Sequence, residues 1–162
     1  RADFLARQAI LGGSPIHVDV PLSHVKHENK LALNQRWETA WTHTHKAQQT
    51  KAFFPTVECR QSAKHFTTSF VTTQFLTGHG KFSSYLSRFH IRPNSACHCG
   101  AERQTSWHLI HSCPDLNDLR YTNDLDLHHP FTSDASTRKF DDFLSSIHSR
   151  LIRWENSIVS HT

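Results

Sequence analysis

Apolar residues recur at helical spacing along most of the chain, and the clearest run lies near the C-terminus. From Phe140 onward they repeat every three or four positions, which places them on one face of a helix. Ser133 or Ser136 is a candidate N-cap for this helix, and Asp134 lies near the positive end of its dipole. The pattern predicts a long amphipathic helix that buries one stripe of residues: Phe140, Phe143, Leu144, Ile147, Leu151, Trp154 and Ile158.

Three further stripes upstream predict three more helices. The first is expected over residues 28–51, the second over 63–77 and the third over 81–90. The glycines on either side of His79 separate the second helix from the third, and we expect His79 to hold this tight turn. The residues expected to face the core are, in chain order, Leu33, Trp37, Trp41, Phe66, Phe70, Val71, Phe75, Phe82, Tyr85, Leu86 and Phe89.

Turn-forming residues divide the rest of the chain into short pieces. Residues 1–10 favour a helix that stops at a Gly-Gly pair, and residues 14–26 favour an extended connector. Residues 115–132 are acidic and have room for one short helix. The sequence therefore predicts a mainly α fold, divided into residues 1–26 and a helical domain over residues 27–162.

Charge is unevenly distributed along the 162 residues, which carry a formal net charge of +4 with neutral histidines. Residues 1–100 contain 12 Lys and Arg against 5 Asp and Glu, whereas the remainder contains 6 against 9. The basic first part suits a polyanion such as nucleic acid. No apolar run approaches the roughly 18 residues of a membrane-spanning helix, so we expect no membrane partner.

Cysteine usage indicates reduced thiols. Of the four cysteines, Cys97, Cys99 and Cys113 lie close together and Cys59 stands apart. Cys97 and Cys99 are too close in sequence to bridge each other without strain, which disfavours a two-disulfide framework. We therefore expect an intracellular location, in the nucleus, the cytoplasm or both. Because the sequence begins at Arg1 and contains no Met, we also expect it to be a piece of a longer polypeptide.

The clustered cysteines have the spacing of a zinc site. Cys97, Cys99, His108 and Cys113 form the pattern C-x-C-x8-H-x4-C. Three thiolates and one neutral imidazole complete the tetrahedral shell of Zn²⁺ and leave no position for a reactive water, so the predicted zinc is structural. Pro114 keeps Cys113 out of helical geometry, which lets it approach the same ion as His108.

Two other histidines leave the ligand set open. His98 lies between the first two cysteines, and His111 lies about one helical turn after His108 and could replace it. Only one residue separates those two cysteines, fewer than is usual in zinc sites. The remaining cysteine, Cys59, is interpreted as a buried core residue.

Basic and aromatic residues near the zinc pattern are candidates for nucleic-acid contact. Cationic side chains neutralise phosphates, and an exposed aromatic ring stacks on an unpaired base. We expect weak, salt-sensitive binding of single-stranded RNA or DNA with little sequence selectivity. For Trp107 the alternative is a place in the core. The candidate residues are Lys81, Arg88, Arg92, Arg103 and Trp107.

The order of these motifs resembles the C-terminal region of LINE-like (non-LTR) retrotransposon polyproteins. The segment 97–114, with its Cys-His-Cys-Gly start followed by His108 and Cys113, is similar to the CCHC motif of those proteins. The segment 73–80, with its Thr-Gly-His-Gly end, resembles the stretch that precedes that motif. Together with the residues before them, these matches extend over residues 1–114.

Residues 1–6 resemble the closing helix of the ribonuclease H domain that lies before this motif in some of those polyproteins. Asp3 matches the last active-site carboxylate of ribonuclease H, whose chemistry uses several carboxylates to hold two Mg²⁺ ions. The matching carboxylates would lie before Arg1, so we expect Asp3 to be the remnant of a catalytic site that binds Mg²⁺ only in the intact parent. The chain is not expected to be an enzyme by itself, whereas the resemblance implies a parent with reverse transcriptase and ribonuclease H activity.

The resemblance implies a small helical domain built around a CCHC zinc knuckle and preceded by a remnant of the ribonuclease H C-terminal helix. Its implied role is to contact RNA or DNA, with the rest of the polyprotein as a second partner. Two alternatives stay open. One is a zinc-stapled protein-interaction module, and the other is ribonuclease H activity on RNA–DNA hybrids in the full-length parent.

Overall fold

The fold is mainly helical, as the sequence predicts. The computed structural model describes residues 1–13, 18–64, 66–67, 69–123 and 125–159, and the side chains of residues 123, 158 and 159 lie outside that description. No β-strand occurs within those ranges. The chain divides into two compact units, Arg1–Trp37 and Glu38–Thr162. The predicted boundary between residues 26 and 27 stays a prediction.

The first unit contains α1, Ala2–Gly12, and most of α2, Leu22–His43. The helix predicted at the start of the chain is therefore confirmed. It ends where the backbone N–H of Gly13 donates to the carbonyl of Ala9 at 2.9 Å. Residues 14–17 of the predicted connector lie outside the described residues, and the connector is shorter than predicted because α2 already begins at Leu22.

The apolar face predicted for residues 28–51 is not a core face. The first helix of that stretch ends earlier than predicted, and a separate short helix, α3, covers Gln48–Phe53 after Ala47, whose φ of 56° interrupts the helical conformation. Leu33 and Trp37 are 63% and 48% exposed, so their predicted place in the core is wrong. Spacing at every fourth position identifies a helix face, but it does not supply a partner for that face.

The C-terminal end of α2, in the second unit, is tied to the segment that follows α3. The indole of Trp41 is half-buried and its Nε1–H donates to the carbonyl of Phe54 at 3.0 Å. The backbone N–H of Val57 donates to Glu38 Oε2 at 2.8 Å. Only the last residue of the predicted apolar stripe therefore packs as expected.

The helix predicted over residues 63–77 is shorter than expected, because α5 covers only Phe70–Thr77. A separate short helix that the apolar pattern does not predict, α4, covers Val57–Ser62 before it. Gly78 ends α5 in the left-handed conformation, with φ 71°, which confirms the predicted glycine C-cap. Phe70 is 77% exposed, so its predicted inward orientation is wrong.

The third predicted helix is also shorter than expected. Its α-helical part, α6, covers Ser83–Leu86, and a 3-10 turn over Ser87–Phe89 continues it. Phe82, directly before α6, is buried, as the apolar pattern predicts. Phe89 is 55% exposed, and its prediction as a core residue is wrong.

Three helices complete the fold. They are α7, Ser106–His111, then α8, Asn117–Asn123, and α9, Asp134–Val159. Ser133 caps α9, because its Oγ accepts the backbone N–H of Ser136 at 3.1 Å. The predictions of one short helix and one long helix after the cysteines are confirmed. No helix in the described part of the chain is long and apolar enough to cross a bilayer.

The core of the second unit consists largely of phenylalanine rings. Phe54 and Phe131 stack with 5.0 Å between ring centroids, and Phe131 meets Phe140 edge-on at 5.5 Å. Cys97 and Cys113 belong to the same buried cluster. The aromatic core therefore supports the loop that carries the cysteines.

The predicted stripe of α9 supplies one wall of this core. Trp154 is half-buried at its C-terminal end, and the side chain of Ile158 lies outside the described residues. The prediction is confirmed for the five buried members: Phe140, Phe143, Leu144, Ile147 and Leu151.

Candidate functional site

The four predicted zinc ligands converge on one point. The ligand atoms of Cys97, Cys99, His108 and Cys113 all lie within 4.8 Å of one another. Cys97 Sγ lies 3.9 Å from Cys113 Sγ, and Cys99 Sγ lies 3.3 Å from His108 Nε2. A tetrahedral zinc with bonds of about 2.3 Å to sulfur and about 2.0 Å to nitrogen separates its donors by about 3.5–3.8 Å. The donor set therefore fits a zinc ion.

A tight backbone turn brings Cys97 and Cys99 together although one residue separates them. The N–H of Gly100 donates to the carbonyl of Cys97 at 3.0 Å, and the N–H of Cys97 donates to the carbonyl of Ala101 at 2.8 Å. Gly100 has a φ of 91°, which favours glycine over any residue with a Cβ. The short spacing is therefore compatible with a shared metal ion.

The other two donors lie in the first turn of α7 and shortly after its last residue. The hydroxyl of Thr105 caps this helix and accepts the backbone N–H of His108 at 3.0 Å. Cys113 follows the helix with an extended backbone, and its N–H donates to the carbonyl of His108 at 2.8 Å. The predicted effect of Pro114, which was to keep Cys113 out of the helix, is confirmed.

Arg120 fixes the same segment from α8. Its guanidinium donates to the carbonyls of Leu109 and Ile110 at 3.1 and 3.2 Å, and it also donates to the carbonyl of Cys113. Carbonyls at the end of a helix lack intrahelical donors, so this arginine acts as a side-chain cap of α7. It thereby fixes the backbone that connects His108 to Cys113, two of the four donors.

Hydrogen bonding around His108 leaves its Nε2 available to a metal. Nε2 faces Cys99, whereas Nδ1 lies 3.3 Å from the Oγ of Ser112. With a metal on Nε2, Nδ1 carries the proton and donates to that hydroxyl. This arrangement fixes the ring orientation as outer hydrogen bonds do in metal sites.

The environment of the donors sets their protonation. Burial raises the pKa of the Cys97 thiol, and burial followed by the charge of Cys97 raises the pKa of Cys113 to about 12. Burial, with a smaller effect of the positive charge of Arg120, lowers the pKa of His108. The imidazole is therefore neutral and ready to bind a metal near neutral pH, and zinc must displace the protons of both thiols.

The two alternative histidines lie away from this group. His98 Nδ1 lies 2.9 Å from Asp115 Oδ2. His111 lies against Trp107, with 3.9 Å between ring centroids, and its Nε2 is buried with no hydrogen-bond partner among the residues described. Cys59 is exposed on α4, so its interpretation as a core residue is wrong. A lone cysteine gives no periodic signal from which its burial could be read.

Two of the predicted nucleic-acid contacts share a cavity of about 190 Å³. Arg88 and Arg103 both line it, together with His79 and Tyr85, and none of its lining residues is an aspartate or glutamate. We call this cavity the basic groove and define it by Gly78, His79, Tyr85, Arg88, Arg103 and Ser106.

The other predicted contacts lie outside the basic groove. Arg92 forms an ion pair with Glu155 of α9, so its charge is already neutralised. Trp107 is 38% exposed and packs on Phe53, with 5.8 Å between ring centroids. Lys81 is exposed beside the groove in sequence but is not among its lining residues.

Sequence reasoning missed the contribution of His79 and Tyr85 to this groove. Tyr85 packs against the core as predicted and also lines the groove, whereas the role of His79 in holding the turn stays a prediction. The available signal was the Thr-Gly-His-Gly run itself, because a turn bounded by glycines brings backbone close to a neighbouring element.

Asp3 lies in the first unit, where it pairs with Arg7 at 3.1 Å on the surface of α1. Within the described ranges, the one group of three or more side chains able to hold a metal is the cysteine–histidine group. Asp3 is not part of it, and the interpretation of Asp3 as the remnant of a catalytic site stays a prediction.

Comparison with known proteins yields relatives from one type of mobile element. The chain is 28% identical over 88 residues, or 54% of its length, to a Retrovirus-related Pol polyprotein from type-1 retrotransposable element R1 4 of Nasonia vitripennis. It is 28% identical over 115 residues, or 68% of its length, to the R1 Pol polyprotein of Bradysia coprophila. It is 33% identical over 89 residues, or 54% of its length, to a putative 115 kDa protein in the R1DM element of Drosophila melanogaster.

Two of these relatives are Pol polyproteins and all three come from R1 retrotransposable elements, so the resemblance to a LINE-like (non-LTR) polyprotein region is confirmed. The chain spans 22%, 12% and 9% of the three relatives, respectively. No family model matches the chain. No solved structure matches it either.

Proposed function

We propose that this region, homologous to part of a non-LTR retrotransposon polyprotein, is a zinc-stabilised module that contacts nucleic acid and is not catalytic by itself. The observation that carries the proposal is the basic groove beside the four-donor cluster. Arg88 and Arg103 line this groove, and none of its other lining residues is a carboxylate. Among the described residues neither arginine forms an ion pair, and two guanidinium groups that line one cavity suit a phosphate backbone.

Zinc in this proposal has a structural role. It would be held by Cys97, Cys99, His108 and Cys113, whose donor atoms fit a tetrahedral shell. When bound, the ion cross-links the loop before α7 to the segment after it. The shell is complete with four protein donors, so the ion offers no position for a substrate.

The groove lies next to this cross-link along the chain. Thr105, the N-cap of α7, lines the groove and also precedes the ligand His108 by three residues. Arg103 lies between the second cysteine ligand and that cap. Loss of the metal would therefore loosen the backbone that carries one of the two arginines.

The test is a binding titration with a labelled single-stranded RNA and the corresponding DNA. We expect the affinity to fall steeply between about 50 and 200 mM salt, because counterions are released from neutralised phosphates. Arg88→Ala and Arg103→Ala should each weaken binding to all sequences alike and lower the salt slope by about 0.7. The matched control is Arg153→Ala, which removes one exposed arginine of α9 and should change neither quantity.

Undetectable binding at low salt would contradict the proposal. A loss of affinity in Arg153→Ala equal to that in Arg88→Ala and Arg103→Ala would also contradict the proposal, because binding would then depend on net charge and not on the groove. Zinc content measured on every variant separates loss of a contact from loss of the fold.

A protein-interaction role is the second candidate, and exposed apolar residues of the first unit favour it. Phe4, Ile10 and Leu11 on α1 are all more than half exposed. Exposed apolar residues of this kind are suited to burial against another part of the parent polyprotein. A pull-down with the preceding polyprotein segment, reduced by Ile10→Asp but not by Arg88→Ala, would support this role.

The activities of the whole polyprotein remain predictions from the resemblance. We infer that reverse transcription and ribonuclease H cleavage with Mg²⁺ belong to the parent, and that the isolated chain does not cleave an RNA–DNA hybrid. Cleavage abolished by Asp3→Asn would contradict this inference. Location in the nucleus or cytoplasm, and the absence of a membrane partner, likewise remain predictions.

A further inference from the structure

We infer that His79, Tyr85 and Phe89 form a stacking platform for unpaired bases at the basic groove, which makes the groove select single strands over duplexes. The inference rests on the proposed function and adds a binding surface for bases to a surface for phosphates. The three aromatic residues belong to no catalytic or metal-binding group described above. His79 and Tyr85 line the groove with Arg88 and Arg103, Phe89 adjoins Tyr85, and this placement carries the argument.

The three rings form a continuous row. His79 and Tyr85 have ring centroids 5.0 Å apart, and Tyr85 and Phe89 have centroids 5.2 Å apart. His79 and Tyr85 also line the groove with Arg88. The row therefore starts inside the cationic cavity and continues outward from it.

Packing against the core holds this row of rings in place. Tyr85 is half-buried against the core, and its backbone N–H donates to the carbonyl of the buried Phe82 at 2.9 Å. A Cβ on Gly80 would meet Gln74 Oε1 at 2.4 Å and the ring of Phe82 at 2.9 Å, so the backbone next to His79 lies against packed atoms. A preorganised platform binds a base with little loss of conformational entropy.

Two of the three rings are exposed to solvent. His79 is exposed and Phe89 is 55% exposed, although an apolar ring of this size gains free energy when it is covered. Stacking of a base on an aromatic side chain contributes roughly 1–3 kcal/mol and tolerates every base. Bases in a duplex are already stacked on their neighbours, so only unpaired bases can occupy the row.

Trp107, the aromatic residue first expected to stack on a base, is less suited to that role. Its ring packs between Phe53 and His111, at centroid distances of 5.8 and 3.9 Å. It lines a different cavity, shared with Leu127 and His128. We therefore expect bases to stack on the row of His79, Tyr85 and Phe89 and not on Trp107.

The experiment compares the affinity of the full chain for a labelled oligo-uridine, the matching deoxy strand and a blunt RNA duplex. Phe89→Leu keeps an apolar side chain and removes the ring, and we expect it to weaken single-strand binding about fivefold or more. His79→Ala should act in the same direction, and duplex binding should change in neither variant. Tyr85→Phe retains the ring and should bind as the unmodified protein does.

The matched control is Phe70→Leu, which makes the same change at an exposed phenylalanine outside the groove. We expect it to leave both affinities unchanged. Equal single-strand affinity in Phe89→Leu, His79→Ala and the unmodified protein would overturn the platform. If binding in that case still depended on Arg88 and Arg103, the proposed function would stand without it.

Absence of all binding in the unmodified protein would overturn the proposed function and the platform together. A parallel fall in single-strand and duplex affinity in Phe89→Leu would overturn the platform alone. Zinc content and the far-ultraviolet circular dichroism of each variant verify the fold, because both report the metal centre and the helices independently of nucleic acid.

Discussion

The imidazole of His98 stacks on the indole of Trp154, with 4.7 Å between ring centroids and 3° between ring planes. His98 lies between two of the zinc ligands, and Trp154 lies near the C-terminal end of α9. The ion pair between Arg92 and Glu155 joins the same two regions. The last helix is thus attached to the metal loop by a ring stack and a charge pair.

The first prediction concerns the metal. We expect one zinc per chain, lost in Cys97→Ser and Cys113→Ser and retained in His98→Ala and His111→Ala. Structural zinc sites couple to folding with an apparent strength on the order of 10 kcal/mol, so chelation should unfold the segment that carries the ligands. Elemental analysis and thermal melts measure both effects. Purified protein without stoichiometric metal would contradict the prediction.

The second prediction concerns the attachment of α9. Trp154→Leu should lower the free energy of unfolding by about 1–2 kcal/mol, because it removes a half-buried aromatic stack. The zinc stoichiometry should not change, since Trp154 supplies no ligand. Urea denaturation measures the first quantity and elemental analysis the second. Trp37→Leu, at an exposed indole of α2, is the control and should have little effect.

Chelation of the metal supplies a reciprocal test of that attachment. Hydrogen exchange at the C-terminal turns of α9 should accelerate when zinc is removed, although these turns contain no ligand. Unchanged exchange there would mean that the stack and the ion pair survive without the metal.

The third prediction concerns pH. Burial lowers the pKa of His111 to about 4, and the charges of His128 and Arg120 act in the same direction. The unfolded chain takes up this proton near the ordinary histidine pKa of about 6.5, before the folded chain does. The stability contributed by neutral His111 is therefore complete above that value and is lost as the pH falls toward 4.

His111→Phe isolates this effect, because phenylalanine keeps an aromatic ring next to Phe53 and Trp107 and does not titrate. The free energy of unfolding of the variant relative to the unmodified protein should rise as the pH is lowered from about 7 to about 5. Urea titrations followed by tryptophan fluorescence measure it. A difference that is constant with pH would contradict the assignment.

The fourth prediction concerns the glycine that ends α5. A Cβ on Gly78 would lie 2.6 Å from Gln49 Oε1, and the φ of Gly78 is +71°. Gln49 donates to the carbonyl of Phe75 and to the hydroxyl of Ser106, so its displacement breaks contacts between three helices. Gly78→Ala should destabilise the fold by about 1–3 kcal/mol.

Two other glycines separate the causes of that loss. Gly100 has a φ of +91° with no described atom within 4 Å of its Cβ position, so Gly100→Ala reports backbone strain in the turn that brings the first two cysteine donors together, without a side-chain clash. Gly12 has neither feature, and Gly12→Ala should be neutral or slightly stabilising. Equal losses in Gly78→Ala and Gly100→Ala, measured by urea denaturation, would exclude a role for Gln49.

Local signals in the sequence predicted local features well. Ser133 as an N-cap, Gly78 as a C-cap and the spacing of the zinc ligands each depend on a few neighbouring residues. The physical cause and the signal lie in the same short segment. Such features are therefore visible before any tertiary structure is known.

Features that depend on distant partners were not predictable in the same way. Leu33 and Phe89 fit an apolar helical stripe, but no other element covers either of them fully. The pairing of Arg92 with Glu155, and the meeting of Arg88 with Arg103, depend on how separate helices pack. The amino-acid sequence determines the chemistry of these side chains, but tertiary packing determines which residues they contact.

The attachment of α9 to the metal loop has a consequence for the order of events during synthesis. The last zinc ligand, Cys113, leaves the ribosome before any residue of α9, so the ion can be captured while the wall of the core is still missing. The imidazole of His98 can stack on Trp154 only after α9 has been synthesised. The order of synthesis therefore allows zinc to bind before the aromatic core closes, and we expect an interruption of translation between these points to release a chain that carries all four ligands without α9.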